Sequence, residues 1–253
     1  MLYEEREKRI LQQLQLQSTV RVSQLSQLLQ VSVDTVRRDL KAMEQKGLIR
    51  CLRGGASLPE SRMSLSNFKG RELIHEEEKR GAARKALAYI KEGDIIAMNS
   101  GTTNTVLAQE MLEVKEPVTV VTNNLAAANI LMQNGAIRLI LIGGMLDAPE
   151  QSTYGAVCEQ EFARYFPDVC FLSINAVNYQ DGFTDFRMHE IPVIQRLASI
   201  SRQVVAVMDS SKLGKRSKVK VLEPDQVDLL VMESQAPPEV RERYEKAGFR
   251  IAE

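Results

Sequence analysis

From Val31 to Gln45 apolar side chains return every three or four residues, at Val33, Val36, Leu40 and Met43, and at about 100° per residue these predict one inward face of a helix. Ser32 stands before it as an N-cap, its hydroxyl placed to accept a backbone N–H of the first turn. Asp34, Arg38, Lys41 and Gln45 fall on the opposite side, flanked by Thr35 and Arg37. Such a face is either solvated surface or a reader of the DNA major groove, which admits a helix by its N-terminal end. Upstream, Ile10, Leu11 and Leu14 predict a helix over 4–16, and Leu25, Leu28 and Leu29 a second over 23–29 with Ser23 as its cap. Val20 and Val22 alternate with Arg21 between the two. After the third helix Gly47 ends the turn, and Leu48 to Arg53 reads as a β-like run leaving through Gly54-Gly55. The head is therefore predicted to be a helix-turn-helix with a two-stranded wing.

Ser57 to Gly70 lacks apolar periodicity, holds Pro59 and several serines, and reads as a linker. The resulting boundaries are 1–57 for the head, 58–74 for the linker and 75–253 for a second domain. A helix opens near the charged cluster His75 to Lys79, continues through Ala82, Ala86, Leu87 and Ile90, and stops at Gly93; Gly81 is a weak helix former within it. Short apolar runs then alternate with helices. The predicted strands are 95–98, 118–121, 139–142, 169–174, 204–208 and 229–232, and the predicted helices 103–111, 125–132, 159–165, 189–199 and 239–246. Continuous apolar strands separated by helices imply an α/β domain, a mainly parallel sheet covered on both faces.

Composition sharpens this picture in one respect. The chain of 253 residues carries 33 Lys and Arg against 33 Asp and Glu, so overall charge implies no polyelectrolyte partner. Within Met1 to Ala56, however, ten basic residues face six acidic ones, a head of +4 on a body of −4, the direction expected if the head meets phosphates. Cys51, Cys158 and Cys170 are far apart and without metal-ligand spacing, which predicts buried thiols, no disulfide framework and no metal. No apolar run approaches the length of a membrane span, and a cytoplasmic location is expected.

The residues Val31-Ser32, Thr35-Val36-Arg37-Arg38-Asp39-Leu40, Glu44, Gly47-Leu48 and Arg53-Gly54-Gly55-Ala56, at these distances, resemble the winged N-terminal domain of DeoR-type bacterial transcriptional repressors. The spacing of Phe68, Arg71, Glu78 and Lys79 is similar to the junction into that family's effector domain. The resemblance makes Ser32, Val33, Thr35, Arg37, Arg38, Lys41 and Arg53 the candidate DNA contacts, with Arg37 and Arg38 foremost. It implies a homo-oligomer, dimer or tetramer, on repeated half-sites of double-stranded operator DNA.

In an open α/β sheet ligands lie beyond the carboxyl ends of the strands, and here those positions are small and polar. They are Ser100-Gly101-Thr102-Thr103, Asn123, Gly143-Gly144, Asp181-Gly182 and, after the strand ending near Met208, Lys212. A turn into a helix N-terminus with hydroxyls can hold an anion, and Lys212 adds a point charge. The set resembles the DeoR-type C-terminal domain, related in fold to ribose-5-phosphate isomerase and glucosamine-phosphate deaminase. That resemblance assigns phosphate to Ser100–Thr103 and Lys212, and the rest of a sugar phosphate or similar metabolite to Asn123, Gly143, Gly144, Asp181 and Glu190; no cofactor is implied. Two departures stand out: Asn99 replaces the family's usual Asp, removing a charge from the loop, and Pro192 and Ile194 stand where family members carry polar or basic residues, removing a second cation. Pro192 fits a helix's first turn.

Three functions compete on these residues. A metabolite-switched repressor of a carbohydrate operon needs the head and the crevice together. A sugar-phosphate isomerase or deaminase needs a poised acid and base, for which only His189 and Glu190 offer themselves, and adjacent His and Glu at a helix start are more often a cap or surface pair. A protein-binding adaptor would show no salt-dependent DNA binding. The first is the expectation carried forward: a regulator, not an enzyme.

Overall fold

The computed structural model describes residues 2–16, 19–57, 68–234 and 236–252, and the chain divides into two compact units, Met1–Ile74 and His75–Glu253. In the first, helices α1 (Tyr3–Leu16), α2 (Val22–Leu29) and α3 (Val33–Gln45) pack with strands β1 (Thr19–Arg21), β2 (Arg50–Leu52) and β3 (Gly55–Ser57). Ile10, Leu14, Leu25, Leu29, Val36, Leu40 and Met43 are all buried at the expected helical spacing. Each such side chain contributes on the order of 1.5–3 kcal/mol by leaving water. The wing is three-stranded, in the order β1-β3-β2, because Val20 of the segment between the first two helices pairs with Ala56 across from Cys51. A sequence window sees β1 as only three residues of alternation, and its partner lies more than thirty residues away.

Two local expectations need correction. Ser23 lies inside α2, not at its start: the cap is Arg21, whose backbone N–H donates to the Gln24 side chain at 3.0 Å. Val33 is 38% exposed, since the first turn of α3 projects beyond the core that Val36 enters. The segment 58–67 of the predicted linker lies outside the described residues, and its remainder is largely helical, as α4 (Phe68–Leu73) with Phe68 buried.

The second unit opens with α5 (Glu76–Ala86) and a 3₁₀ turn over Leu87–Tyr89. His75 does not belong to the helix; it sits before it at φ 53°. Gly81 has a packing reason for its place, since a Cβ there would lie 2.7 Å from Cβ of Glu233. The remaining elements, in chain order, are β4 (Ile95–Met98), α6 (Thr102–Glu110), β5 (Val118–Thr122), α7 (Leu125–Leu131), β6 (Ile137–Leu141), β7 (Met145–Asp147), β8 (Ser152–Tyr154), α8 (Ala156–Phe162), β9 (Val169–Leu172), β10 (Ala176–Asn178), β11 (Gly182–Asp185), α9 (Ile191–Ile200), β12 (Val204–Val207), β13 (Val219–Leu222), β14 (Leu229–Val231) and α10 (Pro238–Lys246). Six strands pair in parallel in the order β14-β12-β9-β4-β5-β6. Alternation along them feeds two cores: Ile96, Met98 and Val120 pack with α5, α6 and α7, whereas Ala97, Val121 and Cys170 pack with α8, α9 and α10.

Counted from β4, the six strands run 3-2-1-4-5-6, so the direction of winding reverses between β4 and β9. The carboxyl ends of those two strands form the switch point where a doubly wound sheet opens a crevice. The antiparallel hairpin β7–β8 and the small sheet β10-β11-β13 were not read from the sequence; their strands are three or four residues long. No helix of the described residues is long and apolar enough to cross a membrane. Cys158 and Cys170 are buried, and burial pushes both thiols up to about 12; Cys51 is half-buried.

Candidate functional site

The head presents its polar face on α3. Ser32 Oγ accepts the Thr35 N–H at 3.1 Å and sets where the helix starts. Gly47, at φ 71°, ends it, with Leu48 N–H returning to the Met43 carbonyl at 3.0 Å. Arg37, Arg38 and Lys41 are exposed along it, Arg37 reaching the neighbouring Asp34 at 3.2 Å on a face open to water. The motif's acidic member does something else. Asp39 is buried and accepts a bidentate pair from Arg6 of α1, at 2.6 Å to Nε and 3.0 Å to Nη2. Lys46 binds Glu7 of α1 at 2.6 Å, so two ion pairs fix α1 against α3. Glu44 accepts the Cys51 N–H at 2.7 Å and joins the end of α3 to the wing. Arg53 is exposed beside Gly54, at the turn between β2 and β3.

In the second unit the turn Asn99–Gly101 leaves β4 at the switch point. Gly101 adopts φ 136°, and a Cβ there would lie 2.5 Å from Ser173 Oγ, so glycine lets this turn press against the end of β9. The crossing is clamped by Asn99. Its Oδ1 accepts the Ser173 N–H at 2.7 Å and its Nδ2 donates to the Ser173 carbonyl at 3.1 Å, both fully buried. That pattern needs one donor and one acceptor on the same side chain, which an amide has and a carboxylate lacks. Asn99 is thus a structural amide, and the charge missing from this position is missing from a clamp, not from a ligand surface.

Ser100 N–H donates to Glu190 Oε1 at 2.8 Å, and Asn123 Nδ2 donates to Glu190 Oε2 at 3.2 Å and to the Thr153 carbonyl at 2.7 Å. Burial pushes the Glu190 carboxyl above its usual range, against the opposing pull of Arg187, Ser100 and Asn123. Arg187, which sequence reasoning missed, is almost fully buried. It pairs with Asp185 at 2.7 Å and donates to the carbonyls of Ser100 at 2.8 Å and Ser173 at 2.7 Å. Asp185, against the effect of burial, keeps its guanidinium above its ordinary range. Arg187 comes from the segment after β11, which alternation alone could not place.

Lys212 approaches from the end of β12. Its Nζ lies 3.4 Å from Thr103 Oγ1 and 3.9 Å from Asp209. Burial raises Asp209, but Lys212, the Ser211 hydroxyl, Lys79 and His75 outweigh it and hold the carboxyl below its usual range. Lys79 is itself 3% exposed, a second cation of this cluster that the sequence placed only at the junction between domains. Thr102 and Thr103 are buried in the first turn of α6.

Ser100, Gly101, Thr102, Thr103, Asn123, Glu190 and Lys212 thus meet around the ends of β4, β5 and β12. Asp181 does not join them: it sits in the turn of the β10–β11 hairpin, held by Asn178 at 3.0 Å and Arg216 at 3.6 Å, on the order of 10 Å along the strand from Asp185. Gly182 begins β11 beside it, and Gly143 and Gly144 lie exposed between β6 and β7. His189 is exposed and stacks on Tyr154 with ring centroids 4.3 Å apart. Pro192 occupies the first turn of α9.

Against known proteins, residues 6–62 match a family model described as a DeoR-like helix-turn-helix domain, and residues 74–234 one described as the DeoR C terminal sensor domain. The HTH-type transcriptional regulator GolR of Listeria innocua is 30% identical over 247 residues, covering 98% of this chain and 97% of its own. The HTH-type transcriptional repressor GlcR of Bacillus subtilis is 31% identical over 231 residues, 91% of this chain and 88% of its own. The glycerol-3-phosphate regulon repressor of Escherichia coli is 31% identical over 224 residues, 88% and 87%. Among solved structures, ribose 5-phosphate isomerase A from Neisseria gonorrhoeae aligns with 56% of each chain at a TM-score of 0.43 and 18% identity, too slight a likeness to add to the strand order itself.

Proposed function

We propose a function from one premise: this chain belongs to the DeoR family of transcriptional regulators. It is a sequence-specific repressor of a carbohydrate-metabolism operon, acting in the cytoplasm as a homo-oligomer and switched by a phosphorylated sugar or related metabolite. In the head, Arg37, Arg38 and Lys41 supply cations to backbone and base edges. Val33 and Thr35, at the start of α3, offer a methyl-sized contact and a hydroxyl, and Arg53 on the wing reaches a phosphate or the minor groove. Ser32 acts through the start it sets for α3. The exposure of Val33 supports this reading, since an apolar side chain projecting from the first turn has a use in a groove lined by thymine methyl groups.

In the sensor unit, the backbone N–H groups and hydroxyls of Thr102 and Thr103 hold the effector's phosphate together with Lys212. The observation that carries this is the Lys212 Nζ to Thr103 Oγ1 distance of 3.4 Å, which joins residues 109 apart in the chain at one end of the sheet. Asn123 and Glu190 take the rest of the molecule, and Arg187 holds the Ser100 turn, whose N–H donates to Glu190. The curated relatives are named as regulators and repressors, and we read the sensor unit as non-catalytic. The test is a Lys212→Ala protein. It should bind the chain's own upstream DNA with unchanged affinity and lose its response to phosphorylated sugars. A normal response would remove Lys212 from the phosphate site.

A further inference from the structure

Charge in the sensor unit is unevenly placed, and one stretch runs against the sign of the rest. From Lys212 to Lys220 five of nine residues are Lys or Arg and none is acidic, whereas the rest of the chain beyond Ala56 holds 18 basic residues against 27 acidic ones. Lys212 turns inward to Thr103. Lys215, Arg216, Lys218 and Lys220 are exposed. Their backbone is pinned at several points: Gly214 N–H donates to Tyr244 Oη at 2.8 Å, the Lys215 carbonyl accepts from Asn178 Nδ2 at 3.3 Å, Ser217 N–H donates to Thr184 Oγ1 at 2.8 Å, and β13 then pairs with β11. Tyr244, buried, ties the stretch to the core by donating in turn to the Val177 carbonyl at 3.0 Å. The four cations are therefore held as one strip along the open edge of the small sheet β10-β11-β13. Neutralisation of the strip is partial. Arg216 meets Asp181 at 3.6 Å with its side chain 73% exposed, and Lys220 meets Glu223 at 2.6 Å. Lys215 and Lys218 have no ion pair among the described residues. A lysine such as Lys220 on an edge strand keeps other strands from pairing with it, but Lys215, Arg216 and Lys218 precede β13 and guard no ladder.

We infer that this strip is a second contact with operator DNA, made by the sensor unit to the phosphate backbone of the duplex whose bases α3 reads. The inference rests on the DNA-binding reading of the head. A single small anion is held by donors converging in a concavity, whereas exposed cations in a row along an edge suit a chain of phosphates. Once the head is seated, the duplex is the polyanion present at high effective concentration, so contacts too weak to act alone add to affinity. They position the chain without reading sequence, because phosphates are alike at every base pair. Each phosphate neutralised contributes about −0.9 to the slope of log affinity against log salt, or about 3.5-fold in affinity over a fourfold change in salt.

The test is the salt dependence of DNA binding by the full chain, followed by fluorescence anisotropy on a duplex from its own upstream region that extends several helical turns to either side of the operator. The double variant Lys215→Gln/Lys218→Gln should lower the slope by about 2 for each chain bound, so that a fourfold rise in salt weakens the parent about 12-fold more than the variant. Two controls should keep the parent slope: Lys215→Arg/Lys218→Arg, which retains the charges, and Lys91→Gln/Lys115→Gln, which removes two other exposed lysines of the same unit. A parent slope in the Lys215/Lys218 glutamine variant overturns the inference and leaves the head's DNA reading standing. A slope that falls equally in either control overturns it as well, since local rearrangement or net charge would then be the cause. A parent that binds this duplex without salt dependence overturns both readings. If circular dichroism shows the glutamine pair unfolded, the single variants Lys215→Gln and Lys218→Gln, each at a slope loss of about 1, decide the matter.

Discussion

Replacing Asn99 by Asp would restore the residue that the family usually carries in this turn, and the structure predicts that here it damages the protein. The amide donates to the Ser173 carbonyl at 3.1 Å and accepts the Ser173 N–H at 2.7 Å. An aspartate keeps the second bond and turns the first into two facing acceptors. Losing one bond in a fully buried place costs about 1–3 kcal/mol, and the buried charge adds to that. Arg187, whose Nη2 reaches the same Ser173 carbonyl at 2.7 Å, offsets part of the charge. A net loss of about 3 kcal/mol at neutral pH is expected, which for a unit of this size lowers Tm by roughly 6–12 °C. The chain has no tryptophan, so far-ultraviolet circular dichroism or calorimetry is the suitable assay. The pH dependence supplies the second half. Burial raises the new carboxyl's folded pKa above its unfolded value, so the folded state takes up the proton first. The deficit is then present in full at neutral pH and shrinks as pH falls through the folded pKa, because the introduced carboxyl, once protonated, can donate to Ser173 as the amide does. A variant as stable as the parent at neutral pH, or a deficit that stays constant as the solution is acidified, would refute the clamp.

Gly81→Ala should lower the sensor unit's Tm although alanine is the better helix former by about 1 kcal/mol, because the added Cβ meets Cβ of Glu233 at 2.7 Å and the strain exceeds the gain; an equal or higher Tm would show that α5 yields. Arg38→Ala should weaken binding to the chain's upstream region and reduce the slope of log affinity against log salt by about 1, with the fold intact; an unaltered slope would mean that Arg38 does not touch a phosphate.

Much of this was legible because periodicity reports burial. Val36, Leu40 and Met43 announced the inner face of α3, and the six apolar runs announced the parallel strands, since strands buried on both faces have few other compositions available. Family spacing in TVRRDL added what periodicity could not, the identity of the helix as a DNA reader. Features that depend on distant partners stayed hidden. Asp39 reads as an exposed charge until Arg6 is placed beside it, and Arg187 as one more surface arginine until Asp185 and two carbonyls surround it. Asp181 was drawn into the site because it follows a predicted strand, yet the run that ends in Leu172 continues into a hairpin that carries it away. The consequence of Asn99 lay in the Ser173 backbone, 74 residues on, and no local window contains that.

Everything proposed for this chain depends on the coupling of an operator-reading head to a phosphorylated-sugar sensor. Fluorescence anisotropy of a labelled fragment from the chain's own upstream region, titrated with the full chain in the absence and presence of saturating sugar phosphates tested one by one, measures that coupling directly. Coupling free energies between sites are commonly about 1–3 kcal/mol, so a shift of roughly 5–150-fold in DNA affinity is predicted for the unaltered protein, and none for Lys212→Ala. Tight, salt-dependent DNA binding that no phosphorylated sugar alters would contradict it.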